Sequence, residues 1–401
     1  MRSTVLSRKA LLAISLRSDD AAIASVRGAI EERSKALGVR VRVADADVDV
    51  ETRERMRASF ERGDLRTWGY GDAYADAAAD PLRILARARS VLCVAIPYAR
   101  LAPTRVAPGS GLVSKYAWSR DYHVRVRAIL NDLAAHIDAA ADGSVTAIAC
   151  DTAPVAERAR AARSGLAWIG KHTNAIAPDL GSYVFLGEIF CSLELPADQP
   201  LKKQCGNCTR CVDICPTGAL RGDYTIDATR CIADLTQRVD AIPRALRPLL
   251  GDCVWGCDLC QDICPPTARA GACGDAAFDP FDDALARPDL QRLLALRSGE
   301  YKRRYRPTAM GWRGAAVLRR NAAVGLGNAL DRAAIPALAR ALEEDPHPLV
   351  RGAAAWALGR IGGPAGQRAL ARARGLERDA AVVEEIEAAS KSAALRVEGS
   401  D

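Results

Sequence analysis

The stretch CGNCTRCVDICPTGAL, residues 205–220, sets four cysteines at the spacing C-x2-C-x2-C-x3-C with a proline directly after the last. In the bacterial ferredoxin run, three closely spaced thiolates wrap one 4Fe-4S cluster and the fourth reaches a second. Such a run predicts a partner. One follows at Cys257-x2-Cys260-x3-Cys264-Pro265, lacking only a leading cysteine where Val254 stands. Crossed ligation then seats one cluster on Cys205, Cys208, Cys211 and Cys264. The other falls to Cys215, Cys257, Cys260 and a fourth thiolate from Cys231 or Cys253. Paired C-x2-C motifs also serve zinc, but zinc needs neither the third cysteine at x2 nor the proline after the fourth, twice over. Cys93, Cys150, Cys191 and Cys273 are left over and read as small packing residues.

Outward from this stretch the 401-residue chain divides into three. Residues 201–270 hold nine of the thirteen cysteines and little else that could build a core, so metal must organise them. Residues 1–200 alternate apolar strand candidates, VRVRVAD (39–45), SVLCVAI (90–96), VTAIAC (145–150) and SYVFLGEIF (182–190), with helical stretches at 121–141 and 154–164. That pattern predicts an α/β or α+β domain. Residues 271–395 turn helical and Ala-rich. There Arg319, Ala322, Ala323, Leu326 and Gly327 recur 32 residues later as Arg351, Ala354, Ala355, Leu358 and Gly359. Paired helices stacked as a short HEAT-like solenoid give such a period, because one repeat cannot cover its own apolar face. The charged tail after about 390 reads as a frayed end. The fold class is thus multidomain α+β, with a two-cluster ferredoxin-like middle and a helical repeat.

With 49% hydrophobic and 26% charged residues the composition is that of a soluble globular protein. No apolar stretch approaches the roughly 18 residues of a membrane span. The opening MRSTVLSRKALLAISLRSDD is a poor secretory signal, so the expected compartment is the cytoplasm, where clustered cysteines serve metals rather than disulfides. The net charge of +7 is compatible with an anionic partner or with ordinary solubility. Its distribution is more telling. EYKRRYRPTAMGWRGAAVLRRN (300–321) packs Lys302, Arg303, Arg304, Arg306, Arg313, Arg319 and Arg320 around Tyr301, Tyr305 and Trp312. That is the chemistry of phosphate binding and base stacking, against the plainer reading of a solvated helical face.

CDTAPVAERARAARSGLAWIGKHTNAIAPDLGSYVFLGEIFCSLEL (150–194), the double cysteine run and GCDLCQDICP (256–265) together resemble the tRNA epoxyqueuosine reductases, the QueG family. SKYAWSRDYHVRVR (114–127), RRNAAVGLGN (319–328) and RGAAAWALGRIG (351–362) match in the same order, so the likeness runs over roughly residues 90–375. The resemblance implies a monomeric enzyme that removes the epoxide oxygen of epoxyqueuosine at the tRNA wobble position, giving queuosine. It implies cobalamin in its base-off form, two 4Fe-4S clusters that regenerate cob(I)alamin, and an external flavodoxin- or ferredoxin-type electron donor. None of the four histidines sits in an Asp-x-His-x-x-Gly arrangement, and His123 of RDYH reads as a packing or hydrogen-bonding residue.

Residue by residue, the resemblance gives Cys231 to the second cluster and leaves Cys253 a spare thiol. The family's proton donor falls on Asp151. A carboxylic acid donates at neutral pH only if burial raises its pKa, so that is the expectation for Asp151. The plain reading of the same residue is a cap for a helix beginning near Pro154. Corrin contacts map onto Ser114, Ala175, Leu186, Ala233, Thr236, Cys257 and Asp258, besides Asp151. The tRNA contacts map onto Ala156, Glu157, Arg158, Ser298, Gly299 and the run Met310, Gly311, Trp312, Arg313, Gly314, with Arg304 added from the basic patch.

Three departures stand out. GDLRTWGYGDAYADAAADPL (63–82) is aromatic and acidic where relatives carry a basic stretch, CPPT replaces Cys-Pro-Trp-Asn, and KHTN places His172 where Asn is commoner. Two other classes compete: a reductive dehalogenase-like corrinoid enzyme, and a non-catalytic iron-sulfur electron-transfer module. The first usually carries a twin-arginine export signal and no helical repeat; the second needs no cobalamin.

Overall fold

The computed structural model describes residues 20–101 and 107–398, so the expectation for the first nineteen residues lies outside it. A four-stranded sheet anchors the first part. Its strands are β1 (Arg40–Asp45), β2 (Ser90–Pro97), β4 (Thr146–Ala149) and β7 (Val184–Cys191), in the order β1-β2-β7-β4 and antiparallel throughout. Of the two sequence alternatives it is therefore the α+β one. Small ladders join β3 (Leu112–Val113) to β8 (Cys253–Trp255) in parallel and β5 (Trp168–Ile169) to β6 (Ala175–Ile176).

Every residue of β2 is buried, which explains an unbroken apolar run rather than an alternating one. Leu92, Val94 and Ile96 pack on one face with Val126, Ile129 and Leu133 of the helix Tyr122–Ala140. Val91, Cys93 and Ala95 pack on the other with Ala161 of the helix Glu157–Arg163. The buried thiols Cys93, Cys150 and Cys191 belong to these two cores.

The cysteine-rich segment has little regular structure. Its two runs fold alike, into four-residue helices Arg210–Asp213 and Leu259–Asp262 that pack on each other. The part between them joins the helical repeat: Ile232, Leu235, Leu250, Val254 and Trp255 share one core with Leu290, Leu318, Ala354 and Ile386. Arg320, fully buried, clamps this junction by donating to the carbonyls of Leu235 (3.1 Å), Thr236 (3.2 Å), Arg238 (3.0 Å) and Asp240 (2.7 Å). Asn321 adds bonds to the carbonyls of Thr236 and Val254, both 2.7 Å.

The 32-residue period is a structural one. Arg319 pairs with Asp345 at 2.7 Å, and Arg351 pairs with Glu377 at 2.7 Å. Both partners stand 26 residues downstream. The repeated glycines mark the helix crossings: a Cβ on Gly327 would come within 2.9 Å of Ala357 Cα, and one on Gly359 within 2.6 Å of the Ala389 carbonyl. The last helix, Ala380–Glu398, continues past the point where a frayed tail was expected, through a run rich in the helix formers Ala, Glu, Lys and Leu.

Candidate active site

A cavity of about 370 Å³ opens where the sheet domain meets the cysteine-rich segment. Asp151, Glu157 and Arg158 line one side, Ala175, Leu186 and Ala233 give it small apolar surface, and Cys215, Cys231, Cys257 and Cys260 line it as well. Gly256, with φ of +70°, lets the chain pass Ser114 so closely that a Cβ there would sit 2.5 Å from the serine Cβ. A left-handed glycine is what that approach requires.

The thiols fall into two sets. Cys211 has Cys205, Cys208 and Cys264 as charged neighbours, and Cys264 has Cys205 and Cys208. Cys231 has Cys257 and Cys215, and Cys260 has Cys231 and Cys257, with Cys211 of the first set also near Cys260. Cys253 instead hydrogen-bonds to Cys257 from the buried strand β8. All thirteen cysteines are free thiols. Among the described residues no three His, Cys, Asp or Glu side chains gather tightly enough for a single metal ion. Members of the second set line the cavity; none of the first set does.

Asp151 does not cap the next helix, which begins at Glu157 with Ala156 at its N-cap. It stands in a turn with φ of +53°, its N–H donating to Glu157 Oε1 at 2.6 Å. One carboxylate oxygen lies 3.0 Å from His123 Nε2, and His123 Nδ1 lies 2.6 Å from Asp121 Oδ1. The expectation of a raised carboxyl pKa is corrected here: the hydrogen bond from His123, helped by the imidazole's charge and by Tyr122, outweighs burial and lowers it. The proton is stored one group back. His123, bridging two carboxylates, is pushed up to about 9, first by its bond to Asp121 and then by its bond to Asp151. Glu157, buried beside the Asp151 charge, is raised to about 7.

Of the remaining mapped cofactor contacts, Ser114 lines the cavity, while Thr236 and Asp258 do not. Thr236 is fully buried and accepts the Gly256 N–H at 2.9 Å. Asp258 accepts from Ser114 Oγ (2.5 Å) and the Lys115 N–H (2.8 Å), holding the cavity wall from behind. His172 lines the cavity with its Nε2 buried and unpartnered, and desolvation lowers its pKa to about 4, so the ring is neutral.

The basic patch is smaller than its composition implied. Arg304 is held by Asp282 (2.6 Å) and Glu300 (3.3 Å), Arg319 by Asp345, and Arg320 is inside the core. Met310 and Tyr305 are buried. Fewer side chains of the patch face solvent than the composition implied, because composition cannot tell one face from another. Ser298 and Gly299 open the helix Ser298–Arg304, and Gly311 and Gly314 bind Tyr301 through its hydroxyl. Lys302, Arg303, Arg306 and Trp312 stay exposed. Arg313 lies 3.7 Å over the Trp312 ring and 5.2 Å over that of Trp68. Trp68 comes from the segment that sequence comparison marked only as a departure; its aromatic content was the available signal.

A double set of thiols beside an open cavity that a carboxylate also lines points to an iron-sulfur oxidoreductase. Residues 204–267 match a 4Fe-4S double cluster binding domain, residues 314–390 match HEAT repeats, and residues 79–152 match the domain described as Epoxyqueuosine reductase QueG, DUF1730. The epoxyqueuosine reductase of Bacillus anthracis is 37% identical over 316 residues, 77% of this chain and 82% of the relative. That of Pseudomonas aeruginosa is 40% identical over 265 residues, 66% of this chain and 73% of the relative. A crystal structure of an epoxyqueuosine reductase with an epoxyqueuosine-modified tRNA-Tyr stem loop superposes with TM-score 0.88 at 30% identity, covering 93% of this chain and 100% of that one. The Bacillus subtilis enzyme, solved with its catalytic loop swung out of the active site, gives 0.87 at 30% identity, over 92% and 99%. The chain belongs to the epoxyqueuosine reductase family and is an oxidoreductase.

Proposed function

We propose that this chain reduces epoxyqueuosine to queuosine at the wobble position of tRNA, the last step of queuosine synthesis. One observation carries the reading: Asp151 and the second set of thiols line the same cavity. The overall change takes up two electrons and two protons, loses the epoxide oxygen as water and leaves a carbon–carbon double bond. One 4Fe-4S cluster would be held by Cys205, Cys208, Cys211 and Cys264 and the other by Cys215, Cys231, Cys257 and Cys260; together they would supply one-electron transfer, with a flavodoxin- or ferredoxin-type protein as the external donor. Cys231 is preferred to Cys253 because it neighbours both Cys215 and Cys257.

Base-off cobalamin fits the cavity chemically. Ala175, Leu186 and Ala233 give a flat macrocycle small apolar surface, and the orphaned Nε2–H of His172, whose Nδ1 already accepts the Asn174 N–H (3.2 Å), is a donor that the carbonyl of a corrin-rim amide would satisfy. When bound, it supplies a strongly nucleophilic, low-valent metal centre to the epoxide. The chain's own residues manage the proton. Asp121 holds His123 protonated, His123 holds Asp151 as a carboxylate, and a substrate that excludes water from Asp151 favours moving the proton onto it. Asp151 then donates to the departing oxygen. The division of labour follows the three stretches 1–200, 201–270 and 271–395, with cofactor, clusters and RNA respectively. The protein acts as a cytoplasmic monomer. No helix among the described residues is long and apolar enough to cross a membrane.

The test has two parts. Anaerobic protein given cobalamin should show a bound corrinoid spectrum, and tRNA nucleosides from cells lacking the protein should accumulate epoxyqueuosine by mass spectrometry. An Asp151→Ala protein that keeps both clusters and the corrinoid yet turns over at the wild-type rate would refute the acid assignment.

A further inference from the structure

Residues 62–74 form a rigid strip between the cavity and the helical repeat. Buried Asp64 ties one end down, accepting from Arg221 (2.6 Å), Arg62 (3.1 Å) and Ser59 (3.1 Å), while its carbonyl accepts the Ala228 N–H (3.0 Å). Buried Asp234 ties the middle, accepting from Arg238 (2.5 Å) and Thr67 (3.4 Å). Gly69, at φ of +66°, then turns the chain between Trp68 and Tyr70. Trp68 stacks on Trp312, with ring centroids 5.7 Å apart and 21° between planes. Tyr70 stacks on Tyr74 at 4.3 Å and 30°. The Ala156 N–H, next to the cavity-lining Glu157, donates to the Ala78 carbonyl (3.1 Å), which sets the helix Asp72–Ala79 that carries Tyr74 beside the Asp151 wall of the cavity.

We propose that Tyr74, Tyr70, Trp68 and Trp312 form an aromatic stair on which unpaired RNA bases flanking the modified nucleotide stack, leading from the cavity mouth to the helical repeat. Tyr70 is 41% exposed and Trp312 54%, unusual for large rings and consistent with faces left open for a ligand. The bases of a single strand suit them because every base has a π-face, and the exposed Lys302, Arg303 and Arg306 beside Trp312 suit the phosphates. Anchoring by Asp64 and Asp234 sets the rings before RNA arrives, so little ordering entropy opposes stacking. The inference rests on the tRNA reading and names the surface by which this chain would hold the loop.

The test uses the full-length protein loaded with its clusters and a tRNA anticodon stem loop. Tyr70→Leu should weaken binding on the order of tenfold. The slope of log affinity against log salt should stay as in wild type, because stacking releases no counterions. Tyr70→Phe, which keeps the ring, should bind like wild type. Abasic replacement of the nucleotides flanking the wobble position should abolish the difference between Tyr70→Leu and wild type. A Tyr70→Leu protein with full cluster content and wild-type affinity overturns the stair alone; wild-type protein with no affinity for the stem loop overturns the tRNA reading together with it.

Discussion

The sheet that carries Asp151 and the segment that carries the thiols meet at one cavity by opposite routes. β2 is buried along its whole length between two side-chain cores, so the acid's wall is built by apolar burial alone. The thiol wall has helices of four residues, and the apolar residues between its two runs pack into the core of the helical repeat. One wall is set by the polypeptide and the other by the metal it binds. Perturbations should therefore separate them.

The largest effect should come from removing iron. Chelation under reducing conditions should strip amide protection from the two cysteine runs, residues 205–215 and 257–264, on the order of 10 kcal/mol if the clusters act as structural metal sites do. β2 and β7 should keep theirs in hydrogen exchange. Equal loss in both regions would break the comparison. Next comes the acid. Asp151→Asn should lower single-turnover reduction roughly 10²- to 10⁴-fold, the usual worth of a positioned acid, with the visible spectrum of the clusters unchanged.

The two walls were also unequally legible. Cysteine spacing dictated the grouping of thiols, because metal geometry is a local constraint read over a few residues, and buried strands announced themselves as short apolar runs. The charge state of Asp151 was not legible. Its partner His123 stands 28 residues away on the helix Tyr122–Ala140, and only the fold brings the two to 3.0 Å. The pairing of Arg304, Arg319 and Arg320 was hidden for a related reason: the sequence counts cations, but Asp282, Asp345 and a row of backbone carbonyls decide which remain free. Trp68 and Tyr70 were visible as aromatics but had no assigned neighbour until Gly69 turned the chain between them.

A smaller effect tests the sheet-side wall by pH. His123 has a folded pKa raised to about 9, so its contribution to stability and to the proton supply is complete below its unfolded value near 6.5 and is lost as pH rises through about 9. Asp151, lowered, contributes above its unfolded value near 3.8 and loses that contribution as pH falls through its folded value. Turnover should then fall about tenfold per pH unit above 9. His123→Gln should move that limb, whereas a limb unmoved in His123→Gln would assign it to another group.

The smallest effect concerns the surface where the two walls join. Arg313 rests on Trp68, whose neighbour Thr67 donates to Asp234 of the cysteine-rich segment (3.4 Å), and its Nε is buried without a partner. A phosphate could satisfy that nitrogen. Arg313→Ala should therefore reduce the salt slope of tRNA binding by about 1, while Arg304→Ala, whose guanidinium is already spent on Asp282 and Glu300, should leave it unchanged. The same measurement reaches back to the metal. If iron orders the segment that holds Asp234, cluster-free protein should bind with the slope of Arg313→Ala even though its own arginine is intact. A cluster-free protein with the wild-type slope would mean that Trp68 and Arg313 are held by the sheet domain alone.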